Sequence, residues 1–491
     1  MERQHCLELR VEEQNQGKER KGDYVLYWMI SSRRPFFNWG LEYARDCAEA
    51  RGCPLLIVEA LRYSYPWACD RFHAFVLQGM RENKKAFDER GVTYFPFVET
   101  KEYSGKGLLE ALAQRACLVV TDEFPAFFLP AMVEAAAEKL NIPLVTVDSN
   151  GMIPLRAPEK LFSRAYDFRR YIHSDPGLFT ECLPERDPLS SYDGGAVSLD
   201  EKVLKKWPQA SEELLKAEPE ALKRLPIDHE IKPVHALPGG YRAAQERFEE
   251  FLDRIDDYAD RRNNPKDEAS SGLSPYLHFG HISSAELFEA LRKRYDWSPE
   301  ATKKEKYGKN QGFWGMSAGA ETFIDQFWTW RELGFNRSFL DPEGYSDYET
   351  LPDWAKKTLE EHSEDPREEL YTLKEFEEAR TADQLWNAAQ NELRRDGRIH
   401  NYLRMLWGKK ILHWSESPQK ALEIMIELNN KYALDGRDPN SYSGIFWVLG
   451  RFDRAWGPER EIFGKIRYMT SDSTRRKYKV DEYIEEYTGS D

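Results

Sequence analysis

The hydrophobic pattern of the chain changes once, near residue 183. Before that point, short and wholly apolar runs alternate with amphipathic stretches. Residues 23–29, 54–58, 92–97, 117–121 and 143–148 read as five strands, each too short for a helix and apolar on both faces. Between them, residues 38–52, 71–90, 106–115 and 127–140 carry a helical period. Strands alternating with helices predict an α/β domain over residues 23–183, built as a Rossmann-like, doubly wound parallel sheet of five strands. No G-x-G-x-x-G follows the first strand, so the dinucleotide fingerprint is missing. A sheet of this kind binds something else, or nothing, at its strand ends.

From about residue 238 the period is helical and stays so. Segments 239–261, 283–294, 318–333, 373–395, 398–415 and 418–431 predict an all-helical domain over residues 238–491, large enough to enclose a cofactor. Residues 184–237 carry Pro184, Pro188, Pro208, Pro219, Pro226 and Pro233 and read as an inter-domain linker with short helices. Residues 1–22 are charged and lack an apolar run. They are expected to be a flexible N-terminus, neither signal peptide nor membrane anchor.

Composition adjusts this picture in three places. The net charge of -15 argues against non-specific coating of nucleic acid, yet residues 451–480 hold nine Lys or Arg against four acids. Aromatics make up 13% of the chain, with 14 Trp, more rings than a core alone requires. The six cysteines all lie before residue 183 without C-x-x-C spacing, which points to free thiols in a reducing, cytoplasmic setting and to no metal site.

The densest chemistry lies in residues 386–447. Trp407 and Trp414 are seven apart on one predicted helix, about 10 Å at 1.5 Å per residue, a spacing suited to stepwise electron transfer between indoles. Leu403, Trp407, Ile411 and Trp414 would equally form a buried apolar stripe. In residues 428–442, amides and alternating charges fall in a turn between apolar helices. Buried unpaired they would be costly, so they bond one another or a polar ligand, and an Arg404–Asp435 ion pair is expected. Residues 270–274 (SSGLS) precede a helix and can either cap it or direct hydroxyls and N–H groups at a phosphate. In residues 325–334, Asp325 and Gln326 precede three large rings. Core packing explains one or two of these, whereas Trp330 and Trp447 could stack bases, worth about 1–3 kcal/mol per base.

The strings SSGLSPYLHFG (270–280), TWRELGFN (329–336), LWNAAQ (385–390), HNYLRMLWGKKILHW (400–414), NNKYALDGRDPNSY (429–442) and DRAWGPEREIFGKIRYM (453–469) resemble the class II cyclobutane pyrimidine dimer DNA photolyases of the photolyase/cryptochrome family. The resemblance implies a light-driven repair enzyme acting on double-stranded DNA that contains such a dimer, as a monomer in the cytoplasm, or at the nucleoid in a prokaryote. The helical domain would hold FAD, reduced in the active form. Excited, it gives an electron to the flipped-out dimer, the cyclobutane ring opens and the electron returns. The α/β domain would be an antenna domain, with a chromophore such as 8-hydroxy-5-deazaflavin.

Carried over by position, Tyr258, Ser270, Ser271, Gly272, Leu273, Ser274 and Asn401 are expected to bind FAD. Asn429 would sit near the flavin N5, with Arg404 and Asp435 beside the ring. Trp407, Trp386 and Trp414 match the photoreduction chain, with Tyr371 as a further donor. Met405, Trp330 and Trp447 match the lesion pocket, Arg467 matches a residue that enters the bubble the dimer leaves, and Arg454 is a further expected substrate contact. One position departs from the family: Gln326 stands where a pocket carboxylate is expected. An amide hydrogen-bonds a pyrimidine but supplies neither proton nor charge. Slower repair is the expectation, unless Asp325 substitutes on a slightly rotated helix. The alternative is a cryptochrome-like flavin photoreceptor with weak or no repair activity. Gln326 leans toward it, and Trp330, Met405, Trp447 and Arg467 together lean away.

Overall fold

The computed structural model describes residues 3–267 and 269–489. They form two compact units that interleave along the chain: Met1–Glu159, Asp175–Glu250 and Gly272–Pro299 in the first, and Lys160–Ser174, Phe251–Ser271 and Glu300–Asp491 in the second.

The first unit is built on a six-stranded sheet in the order β1-β6-β5-β2-β3-β4. Its strands are β1 (Val11–Glu13), β2 (Tyr24–Met29), β3 (Leu55–Leu61), β4 (Thr93–Val98), β5 (Ala116–Asp122) and β6 (Leu144–Val147). All neighbours are parallel except β1, which runs antiparallel along β6. Helices α1 (Trp39–Arg51), α2 (Asp70–Asp88), α3 (Leu108–Ala113) and α4 (Leu129–Lys139) connect the strands. They cover both faces, which is why the strands read as unbroken apolar runs. In β2, Val25, Tyr27 and Met29 enter one core while Tyr24, Leu26 and Trp28 enter the other, the period of two expected of a pleated strand.

The five expected strands are present. The sixth, β1, lies in the stretch expected to be a flexible N-terminus. As an edge strand it buries little, and Val-Glu-Glu offers no apolar alternation to read. Residues 184–237 belong to the first unit and carry short helices, with Trp207 buried in a core and its indole N–H donated to the Ser104 carbonyl at 2.9 Å. The first unit also takes residues 238–250 and 272–299.

At the carboxyl ends of β2 and β5 the backbone donors are already spent. Asp122 Oδ2 accepts the N–H groups of Ile30, Ser31 and Ser32 at 2.8, 2.8 and 2.9 Å, and its Oδ1 accepts the Tyr27 hydroxyl at 2.5 Å. A buried carboxylate thus fills the kind of N–H concavity that holds phosphate in a dinucleotide fold, consistent with the missing glycine fingerprint.

The second unit is helical. Its elements include α5 (Ala165–Ser174), α6 (Ala318–Ile324), α7 (Arg331–Leu340), α8 (Gln384–Asp396), α9 (Asn401–Trp414), α10 (Pro418–Tyr432) and α11 (Pro439–Val448). Ser417 and Asp438 cap α10 and α11, each followed by proline in the first turn. The expected helix 373–395 is two helices. Ala379 takes a positive φ of 55°, and Asp383 accepts the N–H groups of Leu385 and Trp386, starting α8 afresh. Two glycines let neighbours close on α11. A Cβ at Gly334 of α7 would stand 2.7 Å from the Pro439 carbonyl carbon, and one at Gly408 of α9 would stand 2.6 Å from Val448 Cγ2. Among the described residues no helix is long and apolar enough to cross a membrane, and all six cysteines are free thiols.

Candidate active site

Helix α9 presents two kinds of surface. Leu403, Trp407, Ile411 and Trp414 are buried, as the stripe predicts, whereas Arg404 and Met405 are partly exposed. Arg404 meets Asp435, Nη2 to Oδ1 at 3.0 Å and to Oδ2 at 3.3 Å. The polar turn between α10 and α11 bonds largely to itself. Asn429 Nδ2 donates to Ser441 Oγ at 2.6 Å, Asn430 Nδ2 to the Tyr442 hydroxyl at 3.0 Å, and the Arg437 N–H to Asn430 Oδ1 at 2.8 Å. Asn429 is buried, and its side-chain oxygen accepts no hydrogen bond from the described residues.

Three of the four predicted electron-transfer rings, Trp386, Trp414 and Tyr371, are in ring contact, and Trp407 joins them through its backbone carbonyl. Trp407 donates its indole N–H to Gln390 Oε1 at 2.9 Å, and Trp386 of α8 donates to the Trp407 carbonyl at 3.0 Å. Trp386 then stands edge-on to Trp414 at 6.1 Å between centroids, and Trp414 edge-on to Tyr371 at 5.5 Å. Burial falls along the series, from Trp386 and Trp407 to the partly exposed Tyr371, whose hydroxyl donates to the exposed Glu369 at 3.1 Å. The contacts run from the middle of α9 outward.

A third group surrounds a π-helical turn over Asp325–Trp330 that joins α6 to α7 without a break. Such a turn inserts one residue into the helix and re-aims the side chains beyond it. Asp325 is buried and held in a bidentate ion pair by Arg169 of α5, at 2.7 and 3.0 Å. It therefore cannot replace a pocket carboxylate. Gln326 and Trp330 are partly exposed. Arg262 donates to Gln326 Oε1 at 2.9 Å, which assigns the amide oxygen to the arginine and leaves the Nε2 donors without a partner among the described residues. Trp447 at the end of α11 is also partly exposed, with Lys409 at 5.0 Å and Arg467 at 5.5 Å from its ring centroid.

No protein-family model matches the chain. Over 472 residues it is 34% identical to a deoxyribodipyrimidine photo-lyase of Methanothermobacter thermautotrophicus, a match covering 96% of this chain and 95% of that protein. The chain belongs to the deoxyribodipyrimidine photo-lyase family. Photo-lyases of the same name from Arabidopsis thaliana and Potorous tridactylus are 33% and 30% identical, over 94% and 95% of this chain and 88% and 81% of their own lengths. A bacterial class III photolyase from Agrobacterium tumefaciens shares the fold, with a TM-score of 0.65 at 16% identity over 96% of this chain and 87% of that one.

Within this photo-lyase fold the other expected cofactor residues are placed as follows. Tyr258 is buried between Phe251 and Phe323 at 5.3 and 6.0 Å, with Arg262 at 5.4 Å from its ring. Asn401 is exposed at the start of α9, and Ser270 and Ser271 are partly exposed in the second unit. In the first unit, Gly272 has a φ of 64°, Leu273 is buried and Ser274 opens a five-residue helix. That helix takes Leu273 as its N-cap, with no side-chain capping bond from that residue.

The cations of the basic segment are not all alike. Arg451 is buried, donating to the Tyr345 carbonyl at 2.7 Å, while Lys465 pairs with Glu459 at 3.0 Å and Arg475 with Asp481 at 3.5 Å. Arg454 and Arg467 differ, since both lie against Trp456, at 4.6 and 5.2 Å from its ring centroid. Sequence reading passed over Gln390, Arg262, Trp456 and Lys409. Gln390, Trp456 and Lys409 lie inside the family strings and were legible there. Arg262 gave no signal, because an arginine that bonds a site residue looks in sequence like any other.

Proposed function

We propose that this chain is a class II photo-lyase that uses light to split cyclobutane pyrimidine dimers in DNA. The observation that carries the reading is the pairing, in one unit, of an outward series of buried indoles with a set of partly exposed groups, Gln326, Trp330, Met405 and Trp447, suited to a flipped pyrimidine pair. A receptor with no substrate has no use for the second set.

The residues fit FAD by their chemistry. Arg404 is a cation held by Asp435, and Asn429 offers a buried amide whose oxygen accepts no hydrogen bond among the described residues. When bound, FAD supplies a light-excited electron donor. Arg404 favours negative charge on a reduced ring, and Asp435 keeps the guanidinium oriented. The Gln326 Nε2 donors, fixed by Arg262, meet a pyrimidine carbonyl. The ring of Trp447 offers an apolar stacking face, and Arg467 and Arg454 with Trp456 enter the space the dimer vacates. With FAD bound, the series Trp407, Trp386, Trp414 and Tyr371 would offer a path for electrons from a thiol reductant in solution, which would refill the outermost ring.

The test is illumination of the reduced protein with dimer-containing duplex, watching for return of the absorbance of the pyrimidine 5,6 double bond. Restored absorbance is the expected result, and its absence with bound, reduced flavin would overturn the repair reading. A cryptochrome-like receptor is the second reading, favoured by Gln326 in place of a carboxylate, and it would photoreduce without splitting the dimer.

A further inference from the structure

Lys409 has no role in the chemistry above, and its environment is unusual. It has no exposed surface, and no carboxylate lies within ion-pairing distance among the described residues. Burying an ammonium without an anionic partner is costly, and a methionine of similar length would fill the space at no such cost. Two features offset the burial. The Lys409 Nζ donates to the Val448 carbonyl at 2.6 Å, closing the carboxyl end of α11, where helix carbonyls lack partners and the helix dipole favours a cation. It also lies 5.0 Å from the ring centroid of Trp447, within cation–π range. Gly408 makes this approach possible by letting α9 close on Val448. The ammonium therefore holds both the ring of Trp447 and the peptide that follows it. Its charged neighbours are Asp453, which favours the ammonium, and Arg467, which opposes it and shares the Trp447 ring.

We propose that Lys409 is a positioning residue of the lesion pocket: from the buried side it fixes the Trp447 indole in the orientation that stacks on a flipped pyrimidine dimer. The proposal rests on the reading of Trp447 as a lesion contact. It predicts that Lys409 acts through Trp447 and on lesion recognition, not on affinity for DNA in general.

A double-mutant cycle on the full-length protein tests this, with dimer-containing and undamaged duplexes of the same sequence as probes. Trp447→Ala should weaken binding of dimer DNA about 5- to 150-fold, the range that follows from about 1–3 kcal/mol for loss of a stacking ring. Lys409→Met should weaken it about tenfold and leave undamaged duplex within about twofold, as expected for a cation–π contact and a charged hydrogen bond lost together. The double variant should bind no worse than Trp447→Ala alone. Losses that multiply, or a Lys409→Met loss equal on both duplexes, would overturn the proposal. If Trp447→Ala leaves dimer affinity unchanged, the lesion-pocket reading itself falls, and the proposal with it.

A measurement on the unaltered protein guards against a variant that folds poorly. The ratio of dimer to undamaged affinity should fall as pH rises from about 6 to about 8.5, because burial lowers Lys409 from 10.5 to about 7. A ratio constant over that range would overturn the proposal.

Discussion

Trp407 donates its indole N–H to the Gln390 amide oxygen, and that bond matters most when the ring carries positive charge. An acceptor at the N–H stabilises the oxidised indole. Gln390→Leu should therefore slow photoreduction several-fold with Trp407 still in place, whereas Trp407→Phe should slow it at least tenfold. Flavin absorbance under continuous light measures both, and a Gln390→Leu rate equal to that of the unaltered protein would separate the hydrogen bond from the transfer. Lys409 gives a second prediction at this scale. Its pKa is lowered in the folded chain to about 7 by burial, against 10.5 when exposed. Between those values the unfolded chain binds a proton that the folded chain has released, so this group's contribution to stability rises with pH across the window. The difference in unfolding free energy between unaltered protein and Lys409→Met should shift in favour of the unaltered protein from about pH 7 to about pH 10, read by urea melts at both. A difference that does not change with pH would mean that the lysine titrates alike in both states.

Among the elements, the join of α6, the π-helical turn and α7 shows most clearly where sequence reading stops. The helical period of 318–333 is plain in the sequence, and so are the rings along it. The extra residue of the π turn is not, because a pattern of apolar positions fixes a face only while the period holds at 3.6. Asp325 was a plausible substitute carboxylate on a slightly rotated helix. It is instead paired with Arg169, which lies over 150 residues earlier and which no local pattern could connect to it. The α9 stripe, by contrast, was legible residue by residue, because burial and helical period agree there. Arg169→Met should cost about 3–5 kcal/mol of unfolding free energy, since it leaves the Asp325 carboxylate buried and unpaired. Chemical denaturation measures this, and a loss under about 1 kcal/mol would show that water reaches Asp325. Gly408→Ala belongs to the same scale. The added methyl meets Val448 and Met425, an overpacking cost of about 1–3 kcal/mol that should appear together with weakened dimer binding if α9 and α11 set the Trp447 position.

For the whole molecule, net charge and local charge pull in opposite directions, and the balance sets how it uses DNA. A chain of charge -15 is repelled by a duplex at long range, so DNA binding must come from local contacts. Of the nine cations in residues 451–480, Arg451 is buried and Lys465 and Arg475 have acidic partners. Arg454 and Arg467 are seated on Trp456 instead of lying free over a phosphate track. With few phosphate contacts, the salt dependence of dimer binding should be shallow. A slope of log K against log salt near -2 to -4 is expected, since each contact contributes about -0.9. Undamaged duplex, which lacks the stacking contribution, should show a similar slope at much lower affinity, so that lesion preference stays nearly constant as salt rises. Fluorescence titration of both duplexes from about 50 to about 200 mM salt decides the matter. A steep slope near -8 on undamaged DNA would point to an extended basic track elsewhere on the protein, and lesion preference would then come from general affinity more than from the pocket.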